Sequence, residues 1–356
     1  VSELRTTSSV DELLLGYQRG ERVALARAIS LVENLRPGFE HFLHEIHRSL
    51  GRAHRIGITG PPGAGKSTLT AQLTLRYRAR DERVGIVAID PTSPFTGGAL
   101  LGDRIRMGNV ALDPGVFIRS MATRGSLGGL AITSKEVADL LDAFGFDRVL
   151  TETVGVGQSE LEIAETADST VVVLVPESGD SIQAMKAGLM EIADIFVVNK
   201  ADRPGADKLA QELETMLHMR TGEAGTGPAG HHGVSARMAR RQGSERAPAP
   251  VPVTEDRTWT VPVLKAVAPK GEGVDDLLAT LDRHRVYLQE SGQLSQRRLR
   301  RYEDRTRAAV ERELKDLVWR RGSGQQILED ALPALESGAE SPYSVSARIV
   351  RALGIG

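Results

Sequence analysis

The fold turns on one stretch, Arg55-Ile56-Gly57-Ile58-Thr59-Gly60-Pro61-Pro62-Gly63-Ala64-Gly65-Lys66-Ser67-Thr68. Its first five residues form a short apolar, β-branched run that reads as a buried strand, and from Lys66 to Arg80 the pattern is helical. Between them, Gly60 to Ser67 has the form G-x-x-x-x-G-K-[ST] in the strand-turn-helix setting that a phosphate-binding loop requires. The glycines let successive backbone N–H groups face phosphate oxygens, and the positive end of the helix dipole adds to the attraction. Lys66 is expected to span a β- and a γ-phosphate, Ser67 to offer its hydroxyl to Mg²⁺, and Thr68 to touch the α-phosphate. A glycine-rich turn that merely caps a helix would not need the lysine and serine in these places.

Outward from this loop, further apolar runs occur at Val84–Asp90, Val116–Arg119, Arg148–Thr153, Thr170–Val175, Ile195–Asn199 and Val261–Val267, most of them separated by helical patterns such as Leu130–Phe144 and Ile182–Ile192. Strands alternating with helices imply an α/β fold, a parallel sheet covered on both faces. Ahead of the loop, Val10 to Leu50 repeats apolar residues at helical spacing, with a break near Pro37, so two or three helices are expected as an N-terminal cap. Thr221 to Thr258 collects Gly, Ala, Pro, Arg and Ser and is expected to be a disordered or mobile insertion. Arg297–Arg321 reads as a long, charged amphipathic helix, and Ser341–Gly356 has the apolar positions for one short docking helix. The expected organisation is a cap over residues 1–52, a nucleotide-binding domain over 53–290 containing the 221–258 insertion, and a helical extension over 291–356.

The base-reading element decides between ATP and GTP. Asn199-Lys200-Ala201-Asp202 has the N-K-x-D form at the end of an apolar strand, where ligands of α/β folds bind. An aspartate there accepts from both guanine donors, whereas adenine would leave the carboxylate facing an acceptor. GTP is favoured. Asp90, at the end of the second strand, and Asp103, in a glycine-containing loop, are candidate Mg²⁺ ligands, although Asp103 could equally pair with Arg104 or Arg106. Glu152-Thr153-Val154-Gly155 is an E-x-x-G counterpart of D-x-x-G, placing Glu152 near metal or water and the Gly155 N–H near a γ-phosphate whose departure would release the segment. Val156 follows Gly155 where Ras-type GTPases have a water-positioning glutamine, so slow intrinsic hydrolysis is expected. Gln158, Arg119, Arg124 or a partner's residue could supply the missing group. Pro176–Ser181 is a third candidate switch, with helix capping by Ser178 or Asp180 the alternative.

The remaining composition narrows the function classes. Among 356 residues, 45 Lys plus Arg against 47 Asp plus Glu leave a net charge of −2, so no generally basic nucleic-acid surface is implied. The chain has no cysteine, which removes disulfides, thiolate metal sites and cysteine nucleophiles. Neither a leader pattern nor a run of about 18 apolar residues is present, and a cytoplasmic location is expected. His41, His44 and His47 lack zinc-peptidase spacing, His231-His232 lies in the insertion, and Gly271-Glu272-Gly273 reads as a turn before a helix.

Six blocks together resemble one family: GPPGAGKST (60–68), DPTSPFTGGALLGDRIRM (90–107), RSMATRGSLGG (119–129), ETVGVGQSE (152–160), QAMKAGLMEIADIFVVNKAD (183–202) and KGEGVDDL (270–277). They are similar to the MeaB/MMAA/ArgK GTPases. The resemblance implies a SIMIBI-class P-loop fold, a homodimer, Mg²⁺-dependent GTP hydrolysis and an adenosylcobalamin-dependent acyl-CoA mutase as partner, such as methylmalonyl-CoA mutase, whose cofactor delivery the chaperone gates and whose inactivated cofactor it helps eject. It carries phosphate binding onto Gly60, Pro61, Pro62, Gly63, Ala64, Gly65, Lys66, Ser67 and Thr68, metal-linked switch roles onto Asp90, Asp103 and Glu152, and guanine recognition onto Asn199, Lys200 and Asp202. It also places the last base-contacting loop at Val267-Ala268-Pro269, where many members have Ser-Ala, and the 221–258 insertion is a second departure. A P-loop kinase for a small acceptor and a nickel- or cobalt-insertion GTPase are the alternative classes. The first would need an acceptor pocket and lid arginines, and the missing cysteine and histidine-rich tract count against the second.

Overall fold

The computed structural model describes residues 2–90, 107–108, 110–122, 133–153, 159–178, 188–223 and 258–354. They divide into two compact units, Val1–Leu294 and Ser295–Gly356. In the first, seven strands form one sheet: β1 (His54–Thr59), β2 (Val84–Asp90), β3 (Val116–Ala122), β4 (Arg148–Thr153), β5 (Ser169–Leu174), β6 (Ile195–Asn199) and β7 (Val263–Ala266). Their order is β3-β2-β4-β1-β5-β6-β7, with every pairing parallel. The chain leaves β1 toward β2 on one side, returns beside it as β4, then crosses to β5 on the other. The C-terminal end of β1 is therefore a place where the winding changes direction, the position at which open α/β sheets receive ligands. The α/β class read from the strand-helix alternation is the one observed.

Alternation along each strand explains why the apolar runs are continuous. Ile86 packs on one face with Ile56, Ile58, Leu150, Val171 and Val173, while its neighbours Val87 and Ile89 pack on the other with Val149. Side chains point to opposite faces at every step, so a sheet covered on both sides needs apolar residues throughout. One face is covered by α4 (Lys66–Ala79) and α8 (Val274–Glu290), which bring Leu69, Leu73, Leu277 and Leu281 to the core. Each such fully buried leucine contributes roughly 1.5–3 kcal/mol. The opposite face takes α5 (Ser134–Ala143), α6 (Ser159–Thr166) and α7 (Ala206–Glu223). Gly57 in β1 lets α6 come close: a Cβ there would stand 2.8 Å from Ile163 Cγ1 and 3.0 Å from Ala167 Cβ.

The N-terminal segment forms three helices, α1 (Ser2–Gln18), α2 (Arg22–Glu33) and α3 (Phe39–Ile46), with Pro37 in the break between the last two. Leu25, Ile29 and Phe42 are fully buried in one cluster with Val137 and Leu141 of α5, so these helices share their core with the sheet domain. Tyr17 fixes the joint: its ring meets Phe42 and Phe144 edge-on at 5.2 and 5.1 Å, and its hydroxyl donates to the Leu140 carbonyl.

The second unit contains most of α9 (Gln293–Asp316), then a π-helical turn at Leu317–Arg321, α10 (Gly324–Glu336) and α11 (Pro342–Ala352). Ala331, Val345 and Ile349 form its small core. No residue of α9 is buried within the chain. One element boundary differs from the sequence reading. Helix α7 runs on through Thr221, Gly222 and Glu223, because a helix already anchored by Leu209 and Leu213 extends for a turn at little cost, so the expected insertion does not begin at 221. Helix α10 falls within the expected helical extension and carries Pro333 inside it, off the stripe of Ile327, Leu328, Ala331 and Leu335 that packs in the small core. Residues 224–257, where the rest of the insertion falls, lie outside the described residues.

Candidate nucleotide site

The loop that leaves β1 at Gly60 and enters α4 at Lys66 needs its glycines for different reasons. Gly60 has φ 134°, and a Cβ there would lie 2.0 Å from the Val173 carbonyl oxygen of the neighbouring strand. Gly65 has φ 86°, and its Cβ would meet the Asn199 amide nitrogen at 2.3 Å. The loop thus lies tight against β5 on one side and against the end of β6 on the other. Pro61 and Ala64 are buried, Pro62 and Gly63 exposed, and Thr68 half-buried. Lys66, 5% exposed, folds back so that Nζ donates to the Gly60 carbonyl at 2.7 Å and the Pro61 carbonyl at 2.9 Å. Its ammonium group is held inside the curl of the loop, where phosphate oxygens could take over from those carbonyls.

Beneath the loop, Ser67 and Glu152 are both buried, and the Ser67 hydroxyl donates to Glu152 Oε1 at 2.6 Å. The Thr70 hydroxyl, one turn further along α4, stands 3.2 Å from Glu152 Oε2 and 2.9 Å from the Lys66 carbonyl. Thr59 and Thr153, ending β1 and beginning the segment after Glu152, share a hydrogen bond of 2.9 Å. A buried carboxylate paired with hydroxyls is a set of hard oxygen donors, which is the chemistry Mg²⁺ takes. Asp90 is the last residue of β2, in register with Ala122, at the same C-terminal edge of the sheet. Among the described residues there is no cluster of three His, Asp or Glu that could hold a metal by itself.

At the end of β6, Asn199 is 1% exposed and braces two loops. Its amide nitrogen donates to the Ala64 carbonyl at 2.7 Å, and its carbonyl oxygen accepts from the Ala268 N–H at 3.1 Å. Lys200 follows with φ 55°, a left-handed turn that separates it from Asn199 in direction. Asp202 is half-exposed, 3.9 Å from Lys270 Nζ. Val267 and Ala268 are buried and Pro269 is exposed, in a loop pinned by the Val267–Glu272 bridge. Phosphate loop, N-K-x-D segment and the 267–269 loop therefore meet at one edge, with Asn199 the bridge between them. Arg203, just beyond, pairs with Glu177, and this hydrogen bond holds the Glu177 carboxyl below its ordinary range.

The structure does not bring every candidate together. Arg119 is engaged by Glu33 of α2. His41, His44 and His47 are exposed, and His41 lies 3.2 Å from Asp11. Asp103, Arg124, Gly155, Gln158 and His231-His232 lie outside the described residues, as do residues 179–181 of the third candidate switch; Pro176–Ser178 forms a single 3₁₀ turn. Thr70 and the Thr59–Thr153 pair escaped the sequence reading. The available signal for Thr70 was a polar residue one turn after Lys66, on the α4 face that carries Leu69 and Leu73 inward.

The family model described as methylmalonyl-CoA mutase-associated GTPase MeaB matches residues 25–323. A Pyrococcus horikoshii protein named as a GTPase is 44% identical over 301 residues, covering 85% of this chain and 86% of that protein. The mouse mitochondrial methylmalonic aciduria type A homolog is 32% identical over 303 residues, covering 81% of this chain and 66% of the homolog. In fold, the chain is similar to a crystal structure titled LAO/AO transport system kinase, with a TM-score of 0.63 at 24% identity and 97% coverage of each chain.

Proposed function

This chain belongs to the MeaB family of P-loop GTPases, and from that membership we propose that its hydrolysis of GTP times the action of a chaperone on an adenosylcobalamin-dependent acyl-CoA mutase. The observation that carries the catalytic part is the Lys66–Ser67–Glu152 cluster under a loop braced by Asn199. Lys66 exchanges the Gly60 and Pro61 carbonyls for β- and γ-phosphate oxygens, and the N–H groups of the loop complete the cradle. Asp202 accepts from guanine, while Asn199 holds the phosphate loop and the 267–269 loop at a fixed spacing. Ser67 and Glu152, with Asp90 and Asp103, would hold Mg²⁺, which supplies neutralisation of charge on the β- and γ-phosphates. In the reaction a water oxygen bonds to the γ-phosphorus, the bond to the bridging oxygen breaks, GDP leaves with the bridging oxygen, and the water proton passes to phosphate or solvent. With Val156 where Ras-type enzymes have glutamine, intrinsic turnover is slow and the partner accelerates it.

The family name links these GTPases to methylmalonyl-CoA mutase, and this supports a mutase as the protein acted on. We assign the homodimer contact to α9, which presents Leu299, Tyr302, Val310 and Leu314 exposed along one charged helix. No described helix is long and apolar enough to cross a membrane, which fits the proposed cytoplasmic setting. The test is GTP turnover with Mg²⁺, alone and with a panel of adenosylcobalamin-dependent acyl-CoA mutases, with Lys66→Ala as the inactive control. Strong stimulation by one mutase is expected. Turnover unmoved by every mutase, with phosphate appearing on a small acceptor, would overturn the proposal.

A further inference from the structure

A cleft of about 1010 Å³ opens far from the nucleotide loop, between α1, α2 and the start of β3. Its lining is apolar, with Val10, Leu13, Ala26, Leu31 and Phe117, and its charged residues are all arginines: Arg22, Arg27 and Arg36. No acidic residue lines it. Arg22 is structural, donating to the Pro114 and Val116 carbonyls at 2.5 and 2.7 Å and lying 5.8 Å over the Phe117 ring. That anchorage ties the start of α2 to β3 and makes the cleft preformed. Val10 and Leu31 are buried, and Gly38, whose Cβ would stand 2.7 Å from Val10 Cγ2, lets the α2–α3 turn close over them.

Arg27 and Arg36 are different. Both are exposed, and their guanidinium groups have no hydrogen-bond or ion-pair partner among the described residues. Two exposed, unpaired cations bordering an apolar hollow are each left to water, an arrangement that an anion with an apolar body can use: the tail displaces water from the floor and the head pairs with the guanidinium forks. We propose that this cleft binds an anionic amphiphile, a carboxylate carrying an apolar chain, with Arg27 and Arg36 receiving the carboxylate and Val10, Leu13, Ala26 and Phe117 the chain.

Isothermal titration of the full chain with dodecanoate, below its micellar concentration, tests this. One saturable site per chain is expected. Arg27→Glu/Arg36→Glu reverses the charge at the rim on exposed positions and should weaken binding tenfold or more, as should replacing dodecanoate by 1-dodecanol. Ala26→Trp fills the floor and should abolish binding. GTP turnover, measured on each variant, should stay at the parent level, since none of these residues touches the nucleotide loop. No saturable heat, or an isotherm that either variant leaves unchanged, overturns the proposal. So does saturable binding of an acidic amphipathic peptide where dodecanoate gives none, which would make the cleft a protein-docking groove.

Discussion

Asn199 and Gly65 occupy the same space from two sides, which makes their coupling measurable. Replacing Asn199 by alanine leaves the fully buried Ala268 N–H without its acceptor and removes a donor from the Ala64 carbonyl. A buried donor left unpaired costs about 1–3 kcal/mol and an ordinary hydrogen bond contributes about 0.5–1.5, so the expected loss is about 2–4 kcal/mol. Gly65→Ala adds roughly 1–2 kcal/mol of left-handed backbone strain at φ 86°. It also places a methyl 2.3 Å from the Asn199 amide nitrogen. The amide must then leave, and the same brace is broken, for a total of about 3–6 kcal/mol. In the double variant the brace is lost only once, so the effect should fall short of the sum by about 2–4 kcal/mol. Urea unfolding followed by tryptophan fluorescence measures this once Trp319→Phe leaves Trp259 as the reporter of the first unit. Additivity within about 0.5 kcal/mol would refute the brace.

Three further outcomes are expected. Thr70→Val removes the hydroxyl beside Glu152 Oε2 while keeping the side-chain shape, and should raise the Mg²⁺ concentration for half-maximal GTP turnover roughly 10–100-fold; an unshifted Mg²⁺ titration would show that Thr70 does not position the carboxylate. His54 is held well below its ordinary value of 6.5, by burial first and by Arg148 as well, with Asp168 opposing. Arg148 can only donate, so His54 Nδ1 accepts at 3.0 Å and the neutral ring donates from Nε2 to Ser169. The unfolded chain binds the proton that the folded one refuses, so stability is intact above pH 6.5 and falls as the pH drops below it, a slope that His54→Gln should flatten in urea midpoints measured across that range. Removing the residues beyond Leu294 should leave a monomer in sedimentation, and a persisting dimer would refute the placement of the subunit contact on the C-terminal helices.

Much of the candidate site was legible because its chemistry is contiguous. A phosphate loop is nine consecutive residues whose glycine spacing, lysine and hydroxyl act through local backbone geometry, so Gly60 to Thr68 could be read before any fold was known. The strands were legible for a similar reason: a doubly covered sheet demands unbroken apolar runs, and these stand out against helical spacing. Boundaries were less so, as at Thr221–Glu223, where packing of the preceding turns carries a helix past the point at which composition changes.

Pairings across the chain were another matter. Ser67 and Glu152 are 85 positions apart and Asn199 and Ala64 are 135 apart. The E-x-x-G motif marked Glu152 as a carboxylate for metal or water, but its 2.6 Å contact with Ser67 exists only once the strands are in place. Sheet order made those contacts, by seating β4 and β5 on either side of β1 and β6 beyond. The N-K-x-D motif pointed to guanine as the base, yet only the packed structure gave Asn199 its part as a brace between loops, because side-chain direction at a strand end depends on what the neighbouring strands present. The arginine-bordered cleft is tertiary in the same sense. Arg27 and Arg36 are unremarkable on a charged helix and turn, and they border a common hollow only once α1, α2 and β3 enclose it. The amino-acid sequence alone determined the loop, the strands and the class of ligand, since those depend on neighbours in the chain; which distant groups meet was decided by burial of the sheet's two faces.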